Sequence, residues 1–251
     1  MGLNFNLIRE LAITDFKLRY NNSILGYLWS LLNPLLYFAV LYLVFSVFMR
    51  FNIEHYKAYL LLGIVLWSYF AEATLAGMNA FLAKSSLISK VNFPKEVIIY
   101  ASILTSSFTL MINLIVFFIL SLFSSLEYSF ALFLLPVFII MLFFLVLGMI
   151  FLLSTLYMKF RDVAHIWNVF LQLGFWLTPV VYAMTMIPGR FQKFFLLNPM
   201  ATIINSARDC VVYGKVPEVF PIFIASVIIL VIFVMGYLLF KKSSKYFAEE
   251  L

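Results

Sequence analysis

Six long apolar runs decide what this chain can fold into. They cover about residues 35–51, 58–81, 97–123, 130–158, 163–187 and 219–240. A helix needs about 20 such residues to cross the hydrocarbon core of a bilayer, whereas the strands of a membrane barrel are short and alternating. With 65% hydrophobic and 11% charged residues, the chain has more apolar surface than a soluble domain can hide. The sequence therefore predicts an all-α integral membrane protein with six transmembrane helices in one transmembrane domain, residues 1–251.

Basic residues are distributed unevenly between the two sides of such a six-span arrangement. Eleven Lys and Arg residues lie on the side that holds both termini, and six lie on the other side. Because cytoplasmic loops carry the excess of basic residues, we expect a multi-pass protein of the cytoplasmic (inner) membrane with both termini in the cytoplasm. The net charge of +6 then reflects loop topology rather than a nucleic-acid partner.

Residues 1–34 predict an amphipathic segment that lies in the membrane interface ahead of the first span. Ile8, Leu11 and Phe16 recur at helical spacing, and Tyr and Trp rings concentrate at membrane interfaces. The interfacial candidates are Arg9, Lys17, Arg19, Tyr20, Tyr27 and Trp29. The helix either holds a position in the headgroup region or also presents its polar side to a cytoplasmic partner.

The segment 188–218, between the fifth and sixth runs, is external in this topology. It contains Pro188, Pro199 and Pro217 together with an apolar stretch. Lipid cannot satisfy free backbone groups, so a segment that dips into the membrane must be buried in protein or line a watery cavity. We expect an external re-entrant helical segment here, followed by span six and a cytoplasmic tail over 219–251.

The residue patterns of several enzyme classes are absent. The sequence contains no G-x-x-x-x-G-K-[ST] phosphate loop and no H-E-x-x-H metal pair, and no G-x-S-x-G nucleophile turn. The single cysteine, Cys210, cannot form an intrachain disulfide. We expect no catalytic residues, no metal and no cofactor in this chain, and any step driven by ATP must take its energy from another subunit.

Four motifs, in order along the chain, resemble the ABC-2 type permeases that export polysaccharides. They are KLRYNNSILGYLWSLLNPLL (17–36), LISKVNFPKEVI (87–98), FRDVAHIW with LTPVVY (160–182), and LNPMATIINSARDCVVYGKVPE (197–218). Together they are most similar to O-antigen exporter permeases (Wzm type), with teichoic-acid exporters as near relatives. The resemblance implies a half-transporter that forms a homodimer and binds two copies of a separate ATPase, which carries the ATP and Mg. The implied substrate is a glycan on a polyprenyl-diphosphate lipid.

The resemblance identifies the basic loop after the second span as an ATPase-coupling loop. Its candidate residues are Leu87, Ile88, Lys90, Val91, Asn92, Phe93, Pro94 and Lys95. The alternative is an ordinary solvated loop. Pro94 is expected to stop a short helix, because proline disfavours helix at the preceding residue.

Aromatic residues make up 19% of the chain, and two stripes of rings are candidates for a glycan path. Ring faces stack on sugar C–H groups, but the same rings can pack between helices or face lipid. The channel-lining candidates are Phe38, Tyr42, Phe45, Trp167, Phe170 and Tyr182, together with Glu72. Glu72 is included because an ionisable group inside a membrane is a functional suspect.

A gate is expected where the fourth span meets the fifth and within the fifth span. Arg161 and Asp162 lie at the cytoplasmic end of these spans and either anchor the chain or contact the glycan-diphosphate where it enters. Pro179 is expected to kink the fifth span. Arg190, Lys193 and Arg208 are expected on the external surface, in contact with glycan or headgroups, unless Arg208 pairs locally with Asp209.

The same features leave two other functions open. An ABC-2 exporter of another lipid or of a drug would share the coupling loop, because the cargo is not specified by that motif. A secondary transporter would usually show two similar halves and several ionisable residues at mid-membrane, whereas here Glu72 stands alone in the second span.

Overall fold

The structure is a computed structural model that describes residues 5–19, 26, 28–91, 93–124, 126, 128–244 and 247, without the side chains of Arg19 and Ser89. All regular elements in these ranges are helical. The α-helices are α1 Phe5–Arg19, α2 Leu28–Tyr42, α3 Tyr56–Ala83, α4 Ser85–Lys90, α5 Glu96–Ser121, α6 Leu135–Lys159, α7 Val163–Leu177, α8 Gly189–Phe195, α9 Pro199–Val211 and α10 Val219–Ser243. A π-helical turn Leu43–Phe48 continues α2, and 3₁₀ turns cover Phe130–Leu134 and Met184–Met186.

Five helices in the described residues are long and apolar enough to cross a membrane, which confirms a multi-pass helical membrane protein. They are Leu28–Phe48, Tyr56–Ala83, Glu96–Ser121, Phe130–Lys159 and Val219–Ser243. The prediction for 163–187 was wrong in its extent, because α7 has only 15 residues and ends at Leu177. A helix of that length reaches about 22 Å, less than the hydrocarbon thickness.

The first span begins seven residues earlier than the predicted 35–51. Leu28 starts a helix that continues through Pro34, and Pro34 is buried inside it. Pro34 therefore does not mark the start of the span, and Trp29, 42% exposed, lies in the first turn of the span itself. The sequence pattern placed the boundary at the proline, but the apolar run on its N-terminal side continues the helix.

The helix α1 has the predicted amphipathic orientation. Ile8 is buried, and Leu11 and Phe16 are partly buried, whereas Arg9 and Lys17 are exposed. The inner face packs on α5, where the Thr105 hydroxyl donates a hydrogen bond of 3.1 Å to the carbonyl of Ala12. Edge-to-face rings of Phe16 and Phe108, 4.9 Å apart, complete this contact. The amphipathic pattern thus buries one side of α1 on the helix bundle itself.

The bundle has two ends, which we name by the chain termini. The terminal end holds α1, α4, the link between α6 and α7, and the end of α10. The distal end holds residues 49–55, residues 122–124 and 128–134, and the connection 178–218. The helix α3 runs between the ends through the centre, since 72% of its most apolar stretch is buried against 17% for α10.

Two glycines let α6 and α10 approach each other closely. A Cβ added to Gly236 would lie 2.5 Å from the carbonyl oxygen of Gly148, and one added to Gly148 would lie 2.8 Å from the Cα of Phe233. Both obstacles are backbone atoms, which side-chain rotation cannot move. Small residues at such crossings let helix backbones pack tightly in membranes.

We expect Gly236→Ala to push α6 and α10 apart and to lower the free energy of unfolding by about 1–3 kcal/mol, the usual cost of overpacking. Thermal unfolding of the purified protein in detergent measures this effect. Gly189→Ala is the matched control, because a Cβ at Gly189 meets nothing within 4 Å. Equal melting temperatures of the two variants would contradict the close contact.

Candidate functional site

A short non-helical turn at the distal end, residues 178–182, is the centre of the candidate site. The helix α7 ends at Leu177, and Thr178 has an extended backbone conformation. The prediction that Pro179 kinks a continuous helix was wrong, because the helix ends before it. Thr178, Pro179, Val180 and Val181 are nevertheless buried, so the turn exposes its carbonyl groups to protein rather than to water.

Side chains from two helices satisfy four consecutive carbonyl groups of this turn. The Arg208 guanidinium in α9 donates to the carbonyls of Pro179 and Val180, each at 2.6 Å. The hydroxyl of Tyr56 in α3 donates to the carbonyl of Val181 at 3.0 Å. The hydroxyl of Tyr59, one turn further along α3, donates to the carbonyl of Tyr182 at 2.9 Å. We call residues 178–182 with these three donors the pinned turn.

Arg208 is buried at the core of the distal end, so the prediction that it is exposed on the external surface was wrong. Its side chain is 1% exposed, its Nε donates to the carbonyl of Tyr59 at 3.0 Å, and its Cζ lies 3.4 Å from the centre of the Tyr59 ring. Three carbonyl dipoles and a ring face surround the charge, which offsets the cost of removing it from water.

Gly63 makes room for the guanidinium. A Cβ on Gly63 would lie 2.3 Å from Nη2 of Arg208 and 3.1 Å from the carbonyl oxygen of Val180. The position of Arg208 therefore depends on a glycine that faces it one turn along α3 from Tyr59.

The N-terminus of α9, the helix that carries Arg208, is capped by a side chain. The side-chain oxygen of Asn198 accepts hydrogen bonds from the backbone N–H groups of Met200 and Ala201, and Pro199 occupies the first turn, where no N–H is needed. The Asn198 amide also donates to the hydroxyl of Thr178 at 3.0 Å. The Asn-Pro pair thus starts α9 and ties it to the pinned turn.

Most of the aromatic candidates belong to one connected array between α2, α3 and α7. Neighbouring ring centres in the array lie 4.8–6.4 Å apart. In order, the array joins Phe38, Tyr42, Tyr56, Phe51, Phe45, Trp176, Phe175, Trp67, Phe70, Trp167 and Phe170. The two stripes identified in the sequence are therefore parts of a single aromatic layer.

Only some rings of the layer reach the surface of the chain. Trp167 is 6% exposed and its indole N–H donates to the hydroxyl of Thr74 at 3.0 Å, so it packs between helices within this chain. Phe170, which stacks on it, is 54% exposed, and Trp176 is 52% exposed. Tyr182 belongs to the pinned turn and donates to the carbonyl of Trp176 at 2.8 Å.

The distal end also contains an open polar cavity of about 840 Å³. It is lined by residues 52–54, the 3₁₀ turn Met184–Met186, α8, α9 and the connection to α10. Lys193 lines it, and Arg190 is exposed on the same helix α8, its guanidinium 4.6 Å from the Phe191 ring centre. These two residues lie at the distal end of the bundle. Burial raises the pKa of the cavity's Asp209 to about 6, opposed by Lys215 and Arg208 and reinforced by Glu218.

The basic loop at the terminal end forms the short helix α4, but its apolar residues do not share one face. Ile88 and Phe93 are buried in the bundle, whereas Val91 is 49% exposed and Lys90 is exposed. Leu87, Pro94 and Lys95 are partly buried, and the Lys95 ammonium lies 5.0 Å from the Phe93 ring centre. Ile88 anchors the loop to the bundle. The helix ends at Lys90, before Pro94.

An ion pair joins this loop to α1. The Lys84 ammonium contacts the Asp15 carboxylate, and both side chains are largely buried. This ion pair connects two exposed surfaces of the terminal end. One surface contains Arg9 and Lys17 of α1, and the other contains Lys90 and Val91 of the loop.

The remaining candidates lie at the terminal end and in the middle of α3. Arg161 is exposed at the link between α6 and α7, with its guanidinium 5.5 Å from the Tyr157 ring centre, and Asp162 is exposed at the start of α7. Glu72 is partly buried in the middle of α3. Tyr20, Tyr27, Asn92 and the Arg19 side chain lie outside the described residues.

Sequence reasoning missed Tyr56, Tyr59 and Gly63. Tyr56 and Tyr59 lie in the first turn of the second span, where aromatic residues are ordinarily read as interfacial anchors. The available signal was their i, i+3 spacing, followed by Gly63 at i+4 from Tyr59, which puts all three on one face of α3.

Comparison with known proteins finds one matching family and several relatives that are similar along nearly the whole chain. Residues 6–212 match the ABC-2 type transporter family. Two proteins of Klebsiella pneumoniae, each named O-antigen export system permease protein RfbA, are 32% and 30% identical over all of this chain and 97% of their own length. A protein of the same name from Myxococcus xanthus is 27% identical over 98% of this chain and 95% of its own length.

We expect Arg208→Lys to lower the free energy of unfolding by about 3 kcal/mol, because an ammonium cannot reach all three carbonyl oxygens and a hydrogen bond to a charged group contributes about 1.5–3 kcal/mol. Thermal unfolding in detergent measures the loss. Arg190→Lys is the matched control, since Arg190 is exposed on α8. A melting temperature of Arg208→Lys equal to that of the control would contradict the pinned turn.

Proposed function

The chain belongs to the ABC-2 type transporter family, and from this premise we propose that it is the membrane-spanning permease subunit of an ABC exporter for a polysaccharide carried on a polyprenyl-diphosphate lipid. The observation that carries the proposal is the full-length match to O-antigen export permeases at 30–32% identity. As a permease subunit it is a transport component and not an enzyme. ATP and Mg are bound by a separate ATPase.

The proposed assembly contains two copies of this chain and two copies of the ATPase. A glycan path between two copies is supported by the exposed rings of Phe170 and Trp176, which extend the aromatic layer to the surface of α7. In this arrangement Phe38, Tyr42 and Phe45 extend the path on α2, and Trp167 supports Phe170 from behind.

The proposed topology places the protein in a bacterial inner membrane, with the terminal end on the cytoplasmic side. The excess of basic residues at this end supports it. Because α6 ends at the terminal end and α10 begins at the distal end, the chain crosses the bundle between them. We infer that α7 and the pinned turn make this crossing, which is the fifth along the chain and brings the total to six. We also infer that α8 and α9 form a re-entrant pair buried in the distal end.

The surface that receives the ATPase is proposed to be the exposed part of the basic loop together with the polar side of α1. Val91 and Lys90 face outward, while Ile88 and Phe93 hold the loop to the bundle. The ion pair between Lys84 and Asp15 joins the loop to α1, so in this proposal a displacement of the loop by the ATPase also displaces α1. Arg161 and Asp162 lie at the same end, where the glycan-diphosphate would enter.

The function is tested by expressing the chain with its companion ATPase, purifying the complex and measuring glycan movement in inverted membrane vesicles. We expect the two proteins to co-purify and the glycan to enter the vesicles only when ATP is added. Transport by this chain without an ATPase, driven by an ion gradient, would overturn the proposal in favour of a secondary transporter. ATP-dependent transport of a lipid or drug, without glycan transport, would overturn the cargo alone.

We expect Val91→Glu to leave the permease folded in the membrane but to abolish most ATP-dependent export, because a carboxylate would replace an exposed apolar contact with the ATPase. Export in vesicles and co-purification of the ATPase are the measurements. Val216→Glu is the matched control, since Val216 is 74% exposed at the distal end. Normal export by Val91→Glu, or an equal loss in both variants, would contradict the assignment of the coupling surface.

A further inference from the structure

The polar cavity at the distal end contains hydroxyl groups that the fold itself does not use. Thr202 is 6% and Ser206 is 5% exposed, and both line the cavity from one face of α9. Neither side-chain hydroxyl makes a hydrogen bond to another residue in the part of the chain that the structure describes. Elsewhere in the same structure, Thr155 and Ser226 bond back to the carbonyl four residues earlier, which is the usual arrangement in a helix.

The amide of Asn205 adds a third polar group on the same side of α9. It is partly buried, lies between the two hydroxyl-bearing residues in sequence and also lines the cavity. The amides of Asn52 and Gln192 line the cavity from other elements, and Gln192 uses its N–H groups for the carbonyls of Met184 and Ile187. Among the described residues, Ser106 carries the one buried side-chain polar atom without a hydrogen-bond partner, so the hydroxyls of Thr202 and Ser206 are open to the cavity and available to bond water or a polar ligand.

The charges around the cavity favour a neutral polar ligand over an ion. Glu54, Asp209 and Glu218 bring carboxylates, and Lys193 and Lys215 bring ammonium groups. Arg208 also lines the cavity, but its guanidinium already donates to three backbone carbonyls. No group of three metal-ligating side chains occurs among the described residues, and the three carboxylates balance the three basic side chains, so the lining offers no excess of positive charge to a phosphate.

We propose that this cavity binds a saccharide unit of the exported glycan through Thr202, Asn205 and Ser206. Converging hydroxyl and amide groups match the many hydroxyls of a sugar, and the partly exposed ring of Tyr213 in the lining offers a face for its C–H groups. A volume of about 840 Å³ lies within the range of small-molecule sites. The proposal rests on the polysaccharide cargo proposed above and adds a contact site at the face where the glycan leaves.

Binding is tested with the full-length protein in lipid nanodiscs and oligosaccharides released by mild acid from the surface polysaccharide of the producing cells. Saturation-transfer NMR detects the bound sugar and gives its affinity. The double variant Thr202→Val/Ser206→Ala removes two hydroxyls with little change of shape. Thr155→Val/Ser226→Ala carries the same two changes outside the cavity and is the matched control.

We expect saturable binding to the unchanged protein and to the control, and at least tenfold weaker binding to Thr202→Val/Ser206→Ala at an unchanged melting temperature. Equal binding by both double variants would overturn the site, as would displacement of the sugar by inorganic phosphate. Absence of sugar binding while vesicles still export glycan would overturn the cavity proposal and leave the proposed function standing. Absence of ATP-dependent glycan export would overturn both.

Discussion

The distal end depends on the hydrogen bonds that a buried arginine makes to unpaired backbone carbonyls. A chain that stops being helical within an apolar bundle leaves carbonyl groups without partners, each at a cost of several kcal/mol in lipid. Arg208, Tyr56 and Tyr59 satisfy four consecutive carbonyls of the turn 178–182. The same carbonyls compensate the buried charge, so neither the turn nor the arginine is stable in this position without the other.

This interaction links the aromatic layer to the polar cavity. Tyr56 is both a ring of the layer and a donor to the pinned turn. Arg208 lies on α9 two residues after Ser206, on the helix that forms one wall of the cavity. The proposed glycan path and the proposed saccharide site therefore share a common support, and a shift of α9 changes both together.

The helix α3 connects the two ends that the proposed mechanism requires. Its first turn supplies Tyr56 and Tyr59 to the pinned turn, and Lys84, directly after its last residue, pairs with Asp15 of α1. Its most apolar stretch is also the most buried of the five spanning helices. The proposed coupling loop and the pinned turn are therefore joined by one long packed helix rather than by loops.

The proline and the arginine of the last two motifs show how far sequence reasoning extends. Pro179 indicates that a helix cannot continue unperturbed, but a kink and an ending are equally compatible with its ring. Which one occurs depends on donors for the freed carbonyls, and these come from Arg208, 29 residues away, and from Tyr59, 123 residues away from its acceptor. The exposure of Arg208 was likewise misjudged, because a charged residue in a polar motif is ordinarily at the surface.

The amino-acid sequence by itself determined the class of fold, the presence of five of the predicted spanning helices and the amphipathic α1, because apolar length and helical periodicity are local properties that the bilayer selects directly. It also determined the family, through motifs that extend along the whole chain. Only the tertiary structure decided where α7 ends, which rings are buried, and that Arg208 is an internal support. Those outcomes depend on pairing polar groups across distant helices in an environment without water, and no local pattern specifies that pairing.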